Sequence, residues 1–158
     1  LRLFLPESMN RVDYHGLGPF ESYVDKHRAS HHGAFSTSVA DLHEDYIRPQ
    51  ENGSHADCDE VTVSGGGLAL TAVGQTPFSF NASRYTQEEL AVRHRNTDLR
   101  ASGSTVLCLD AAMAGIGSNS CGPALRSRYR VDGHELGMEL HLLLTTPDHI
   151  ETHDEVTS

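Results

Sequence analysis

Val61-Thr62-Val63-Ser64-Gly65-Gly66-Gly67-Leu68-Ala69-Leu70-Thr71-Ala72-Val73 is the stretch that sets the fold class. Val61 and Val63, then Leu68, Leu70 and Ala72, alternate with polar or small residues. A period of two sends successive side chains to opposite faces of a strand, so each arm has one face suited to burial. Between the arms, Ser64-Gly65-Gly66-Gly67 supplies the backbone freedom that a tight hairpin turn requires. The stretch therefore predicts two antiparallel strands joined directly.

Outward from this hairpin the same texture recurs. Short segments of β-type composition lie at residues 1–5, 9–15 and 36–40 before it, and at 78–81, 105–112, 125–131 and 135–144 after it. Many short strands separated by turn signals predict an all-β, antiparallel β-sandwich. Asp132-Gly133 is a second hairpin signal, predicted to join the last two strands. Arg126, Arg128 and Arg130 alternate along the predicted 125–131 strand and would share one face, solvated or turned to another domain. The only helix signal is residues 86–95, where Thr86 and Glu89 form a capping-box pattern and Leu90 gives an apolar face. Residues 145–158 turn polar and acidic with no apolar period, and are predicted to be a flexible tail.

The chain of 158 residues fits one domain and is long enough to bury a core without metals or disulfides. Its 22 acidic and 12 basic residues give a formal charge of −10, which argues against a nucleic-acid partner. Cys58, Cys108 and Cys121 cannot all pair within one chain, and none has zinc or redox spacing, so reduced thiols and a cytoplasmic location are expected. No apolar run reaches the roughly 18 residues of a membrane span, and residues 1–5 are too short for a signal-peptide core. The chain opens without methionine inside a predicted strand, so it is expected to be a piece of a longer protein.

Four segments carry a resemblance to a known family. They are Gly16-Leu17-Gly18-Pro19-Phe20-Glu21-Ser22-Tyr23-Val24-Asp25, Tyr46-Ile47-Arg48-Pro49-Gln50-Glu51-Asn52-Gly53-Ser54-His55, Phe80-Asn81-Ala82-Ser83-Arg84-Tyr85-Thr86-Gln87-Glu88-Glu89-Leu90, and Gly115-Ile116-Gly117-Ser118-Asn119-Ser120-Cys121-Gly122-Pro123. In this order they resemble the C-terminal β-sandwich of bacterial β-galactosidases of glycoside hydrolase family 2, over residues 1–144. The resemblance implies half of a galactose-mutarotase-like supersandwich, from an enzyme that releases terminal β-galactose from lactose-type substrates with retention. It also implies that both catalytic glutamates sit in an upstream (β/α)8 barrel, so no catalytic residue is assigned here. The Mg2+ and Na+ of such enzymes are likewise expected upstream, with no cofactor or metal in this chain. Implied partners are the barrel and N-terminal domains of the same enzyme, a β-galactoside, and further copies in a homo-oligomer.

Cys121, with Asn119 and Ser120, is expected at the substrate. The resemblance places its loop at the sugar site, where many relatives have a tryptophan platform and a subgroup has cysteine. A smaller side chain stacks less and leaves more room; the competing expectation is a buried, inert thiol. Glu51 in its tight turn either caps local backbone amides or, with Arg48 and His55, lines a sugar-facing pocket. Relatives differ nearby, carrying an asparagine-arginine pair where this chain has Ser54-His55 and an arginine-tryptophan pair where it has Asp59-Glu60, so roles of those cations are not carried over. His27, His31 and His32 are read as a loop cluster, and His149 with His153 as a pair in the tail. Two other function classes stay open: a stand-alone carbohydrate-binding or mutarotase-like module, disfavoured by the absence of tryptophan, and a pure subunit-assembly module.

Overall fold

The computed structural model describes residues 1–115, 121–133 and 136–146. The fold is all-β, antiparallel and of the sandwich class, as the alternation predicts. Its strands are β1 (Arg2–Pro6), β2 (Arg11–Gly18), β3 (His31–Ser38), β4 (His55–Gly65), β5 (Leu68–Ser83), β6 (Ser104–Asp110) and β7 (Leu140–Thr145). They run in the order β1-β6-β5-β4-β2-β3, with β7 pairing β5.

The hairpin that opened the sequence reading is present. β4 and β5 pair with Gly65 opposite Leu68, leaving a two-residue turn at Gly66 and Gly67 with φ of 60° and 80°. Two successive positive φ values are what a type I′ turn demands, and glycine meets them without a steric cost. β5 is longer than predicted, because the segments at 68–73 and 78–81 are one continuous strand. Its first part pairs β4 and β7, and its last part pairs β6.

One face of the array is apolar. Val12 and Tyr14 from β2, Cys58, Val61 and Val63 from β4, Leu70, Ala72, Phe78, Phe80 and Ala82 from β5, and Leu107 and Leu109 from β6 form a single buried cluster with Met9, Val39 and Leu42. Val12, Cys58, Val61, Val63, Phe80 and Leu109 are fully buried, and burial on this scale is the main stabilising contribution. β7 leaves leucines exposed on both of its faces: Leu142 and Leu144 on one, 46% and 63% exposed, and Leu143 on the other, 60% exposed.

Three sequence expectations are corrected. Residues 125–131 form no strand; Ser127–Tyr129 is a 3-10 turn, so Arg126, Arg128 and Arg130 share no strand face. Arg128 lies over the Tyr129 ring and Arg130 Nε donates to the Leu125 carbonyl at 2.7 Å, local bonds that alternation alone does not reveal. Asp132-Gly133 consequently joins no strand pair, and β7 is added to β5 instead. His31 and His32 begin β3 and are not loop residues. The helix α1 (Gln87–Val92) is shorter than expected, but its cap is as read: the Thr86 hydroxyl accepts from the Glu89 amide at 3.2 Å. The tail expected at 145–158, with His149 and His153, lies outside the described residues beyond Thr146.

Candidate functional site

The segment between β2 and β3 organises the loops on one end of the sheet. Glu21 is 7% exposed and accepts four hydrogen bonds. Two come from the buried Tyr23 hydroxyl and the Gly53 amide, each at 3.0 Å, and two from the Lys26 ammonium and the Tyr46 hydroxyl. Burial alone would raise its pKa, but the bonds from Lys26, Tyr46, Gly53 and Tyr23 outweigh burial and hold the carboxyl below its ordinary value. Glu21 is thus an ionised anchor whose acceptor capacity is largely taken up by the protein.

The Pro49-Gln50-Glu51-Asn52-Gly53 turn is fixed from three sides. Glu21 holds the Gly53 amide, Asn52 Oδ1 accepts from the Glu44 amide at 2.9 Å, and Asn81 at the end of β5 donates to the Asn52 carbonyl. Gly53 has φ of 73°, and a Cβ there would run into the Leu42 carbonyl oxygen, so the position requires glycine. The Ser22 amide donates to the Ser54 carbonyl at 2.7 Å, and the Ser22 hydroxyl accepts from the Ala56 amide at 2.8 Å.

The same segment also holds the start of the glycine-rich loop. Val24 N–H donates to the Met113 carbonyl at 3.0 Å, and the Gly115 amide donates to Asp25 Oδ1 at 2.8 Å. Residues 21–25 therefore tie together the turn around Gly53 and the loop that leads to Cys121. Beside them Phe20, Glu21, Lys26, His27, Arg28, Ala29, Glu44, Asp45 and Tyr46 line a cleft of about 350 Å³. Phe20 is exposed, so this cleft sets an aromatic face among two cations and three carboxylates, with Lys26 already paired to Glu21.

Among the described residues singled out in the sequence, Cys121, His55, Arg48 and Glu51 stand in different surroundings. Cys121 is exposed, against the alternative of a buried thiol, and Asn119 and Ser120 lie outside the described residues. His55 is 1% exposed. Its ring packs on Phe80 and Tyr14, and its nitrogens bond to the Gly53 carbonyl at 3.1 Å and the Pro19 carbonyl at 3.5 Å. Desolvation lowers its pKa, so it is a neutral core residue and no sugar-facing ligand. Arg48 is exposed, Glu51 half-buried and His55 buried, so the alternative in which these three line one sugar-facing pocket finds no shared exposed face.

Glu51 turns instead toward β6 and α1. Burial and then the charge of Asp110 raise its pKa, opposed by a hydrogen bond with Gln87. Burial raises Asp110 as well. A retaining glycosidase needs one carboxyl kept protonated and its neighbour ionised. Both carboxyls are raised here, Glu51 by burial and also by the charge of Asp110, so the two form an interacting, half-buried pair. Cys58 is inert, its thiol pushed up to about 12 by burial and then by Asp57 and Asp59.

In the sequence, Glu21 and Asp25 stand only within a segment that carries the family resemblance, and their anchoring roles went unrecognised. The available signal was their shared segment, in which Glu21, Tyr23 and Asp25 sit two apart beside Ser22.

Comparison with known proteins gives a coherent result. Residues 1–144 match the family described as "Beta galactosidase small chain". A β-galactosidase of Actinobacillus pleuropneumoniae is 43% identical over 143 residues, covering 90% of this chain and 14% of the relative. One from Staphylococcus xylosus is 39% identical over 142 residues, with the same coverage of 90% and 14%. One from Kluyveromyces lactis is 34% identical over 143 residues, covering 88% of this chain and 14% of the relative.

Proposed function

This chain belongs to the beta galactosidase small chain family, and we propose that it is a non-catalytic part of a β-galactosidase: the C-terminal part of its β-sandwich, closing one wall of the galactoside site through the loop that bears Cys121. The chain spans 14% of the length of the β-galactosidases of Actinobacillus pleuropneumoniae and Staphylococcus xylosus, so the reacting groups of such an enzyme have ample sequence in which to lie elsewhere. Hydrolysis of terminal β-galactose with retention, by double displacement through a glycosyl-enzyme intermediate, is the reaction proposed for the assembled enzyme.

The observation that carries this is the tether of the glycine-rich loop. Asp25 and Val24 hold Gly115 and Met113, while Glu21 and Ser22 of the same segment hold the turn at Gly53. A loop fixed at its base presents Cys121 with less ordering cost on ligand binding than a free loop would. The exposed thiol then contributes shape and apolar surface, with nothing adjacent in sequence to activate it as a nucleophile.

Among the described residues, the cluster of three side-chain donors does not fit the Mg2+ and Na+ of the resemblance. Among the described residues the group able to converge on an ion is His15, His32 and Asp59. Two imidazoles are poor partners for these hard cations, which take oxygen ligands. No step is routed through Mg2+ or Na+ in this chain. The exposed leucines of β7 are proposed to pack against the remainder of the enzyme or a second copy.

The test is a Cys121→Ala and Cys121→Trp pair in the assembled enzyme, assayed on galactosides with different aglycones. The expected result is a change in KM and in the ratio of hydrolysis to transfer that depends on the aglycone. Unchanged kinetics on every aglycone would reduce the chain to an assembly module.

A further inference from the structure

Three strands bring a second set of donors together on the polar face of the sheet, opposite the buried cluster. His15 on β2 pairs with Ala34, and Leu17 pairs with His32, so the two histidines sit diagonally on neighbouring strands. On the other side His15 pairs with Glu60 of β4, where a register shift between Cys58 and Glu60 accommodates Asp59. A bulge of this kind re-aims the side chain it carries. Asp59 Oδ2 lies 2.9 Å from His15 Nδ1 and 3.7 Å from His32 Nε2, and the two rings meet edge to face with centroids 4.5 Å apart.

We propose that His15, His32 and Asp59 bind one divalent transition-metal ion of the zinc type. One donor atom from each residue falls within a span of 4.8 Å. Zinc bonds of about 2.0–2.1 Å in a tetrahedral arrangement put ligand atoms about 3.3 Å apart. The two separations from Asp59, 2.9 Å and 3.7 Å, bracket that value, and the two imidazole nitrogens lie within 4.8 Å of each other, so the site is completed by drawing these exposed side chains together. Two imidazoles and one carboxylate select zinc, copper, nickel or cobalt over magnesium and calcium.

The site is reachable, since the side chains of His15, His32 and Asp59 are 49%, 39% and 52% exposed. Without metal, His32 Nε2 donates to the Asp57 carbonyl at 3.1 Å. Coordination requires the lone pair on that nitrogen, so the ring proton moves to Nδ1 and the Asp57 carbonyl is left facing the ion or its water. A bound ion joins β3 to β4 across β2 and stabilises the sheet by mass action. This site does not depend on the galactosidase proposal.

The test is calorimetric titration of Zn2+ into the chelator-treated chain, with thermal unfolding in parallel. One Zn2+ per chain and a raised Tm are expected. His15→Ala and His32→Ala should each weaken binding at least ~10-fold, and the isosteric Asp59→Asn should also weaken it. His31→Ala, beside the site with its ring against Phe35, should leave it unchanged. Co2+ should give visible bands of low coordination number that vanish in His15→Ala. Absence of binding to the wild type, or binding unaltered in both histidine variants, would overturn the proposal.

Discussion

Removing the Glu21 carboxylate should cost more stability than any other single change in the loop anchor. In Glu21→Ala the Gly53 amide and the Tyr23 hydroxyl lose an acceptor in a buried setting. Each orphaned donor costs about 1–3 kcal/mol. Lys26, whose side chain is 58% exposed, recovers water and adds little. The sum is about 2–6 kcal/mol, a large share of the 5–15 kcal/mol that holds a typical domain. Glu21→Gln keeps one carbonyl acceptor but turns an NH2 toward donors, and should cost roughly half as much. Urea unfolding followed by far-UV circular dichroism measures both. The pH dependence supplies a second check. Because the folded-state pKa lies below the ordinary value of 4.5, the unfolded chain takes up the proton first. The stability contributed by ionised Glu21 is therefore complete above pH 4.5 and lost as pH falls through the lower folded value. Glu21→Gln should lack that loss. A Glu21→Ala variant within about 1 kcal/mol of the wild type would refute the anchor.

Gly53→Ala combines a left-handed backbone with a collision at the Leu42 carbonyl, so a loss of at least about 2 kcal/mol is expected in the same unfolding assay. His55, buried and neutral, has a lowered pKa; as pH falls through its ordinary 6.5, the unfolded chain binds the proton and the native chain does not, so stability should decline from that point downward. Replacing His55 with Gln should flatten this part of the stability profile. Asp25→Ala removes the acceptor of the Gly115 amide; in the assembled enzyme KM for a β-galactoside should rise, while an unchanged KM would separate the tether from substrate binding.

Much of the fold was legible because its signals are local. Alternation at 61–73 and three consecutive glycines specify a hairpin whatever lies around them, and the Thr86 cap needs only its own turn. The strand predicted at 125–131 failed for the same reason that it was attractive: alternating arginines satisfy a period of two, but no partner strand lies there among the described residues, and local contacts such as Arg130 with the Leu125 carbonyl decide the backbone. β5 was divided in the sequence reading because Gly74 and Pro77 resemble punctuation, whereas β7 and β6 take over its pairing on either side of that stretch.

The candidate site was less legible. Glu21, Gly53 and Asn81 are far apart in sequence, and their bonds join segments separated by 32 and 29 residues. No periodicity encodes such contacts. The resemblance pointed at the right segments without revealing how they touch. His55 was misplaced because a histidine beside a turn looks solvent-facing, while in the fold its ring fills the core between Tyr14 and Phe80.

The central claim is that this chain completes a β-galactosidase and does not hydrolyse alone. Its most direct test is turnover of a chromogenic β-galactoside by the 158-residue chain, alone and mixed with a longer fragment carrying the upstream domains of a β-galactosidase. No turnover alone and activity appearing only in the mixture is the expected result. Turnover by the isolated chain would contradict the claim and direct attention to Glu51 and Asp110 as a reacting pair.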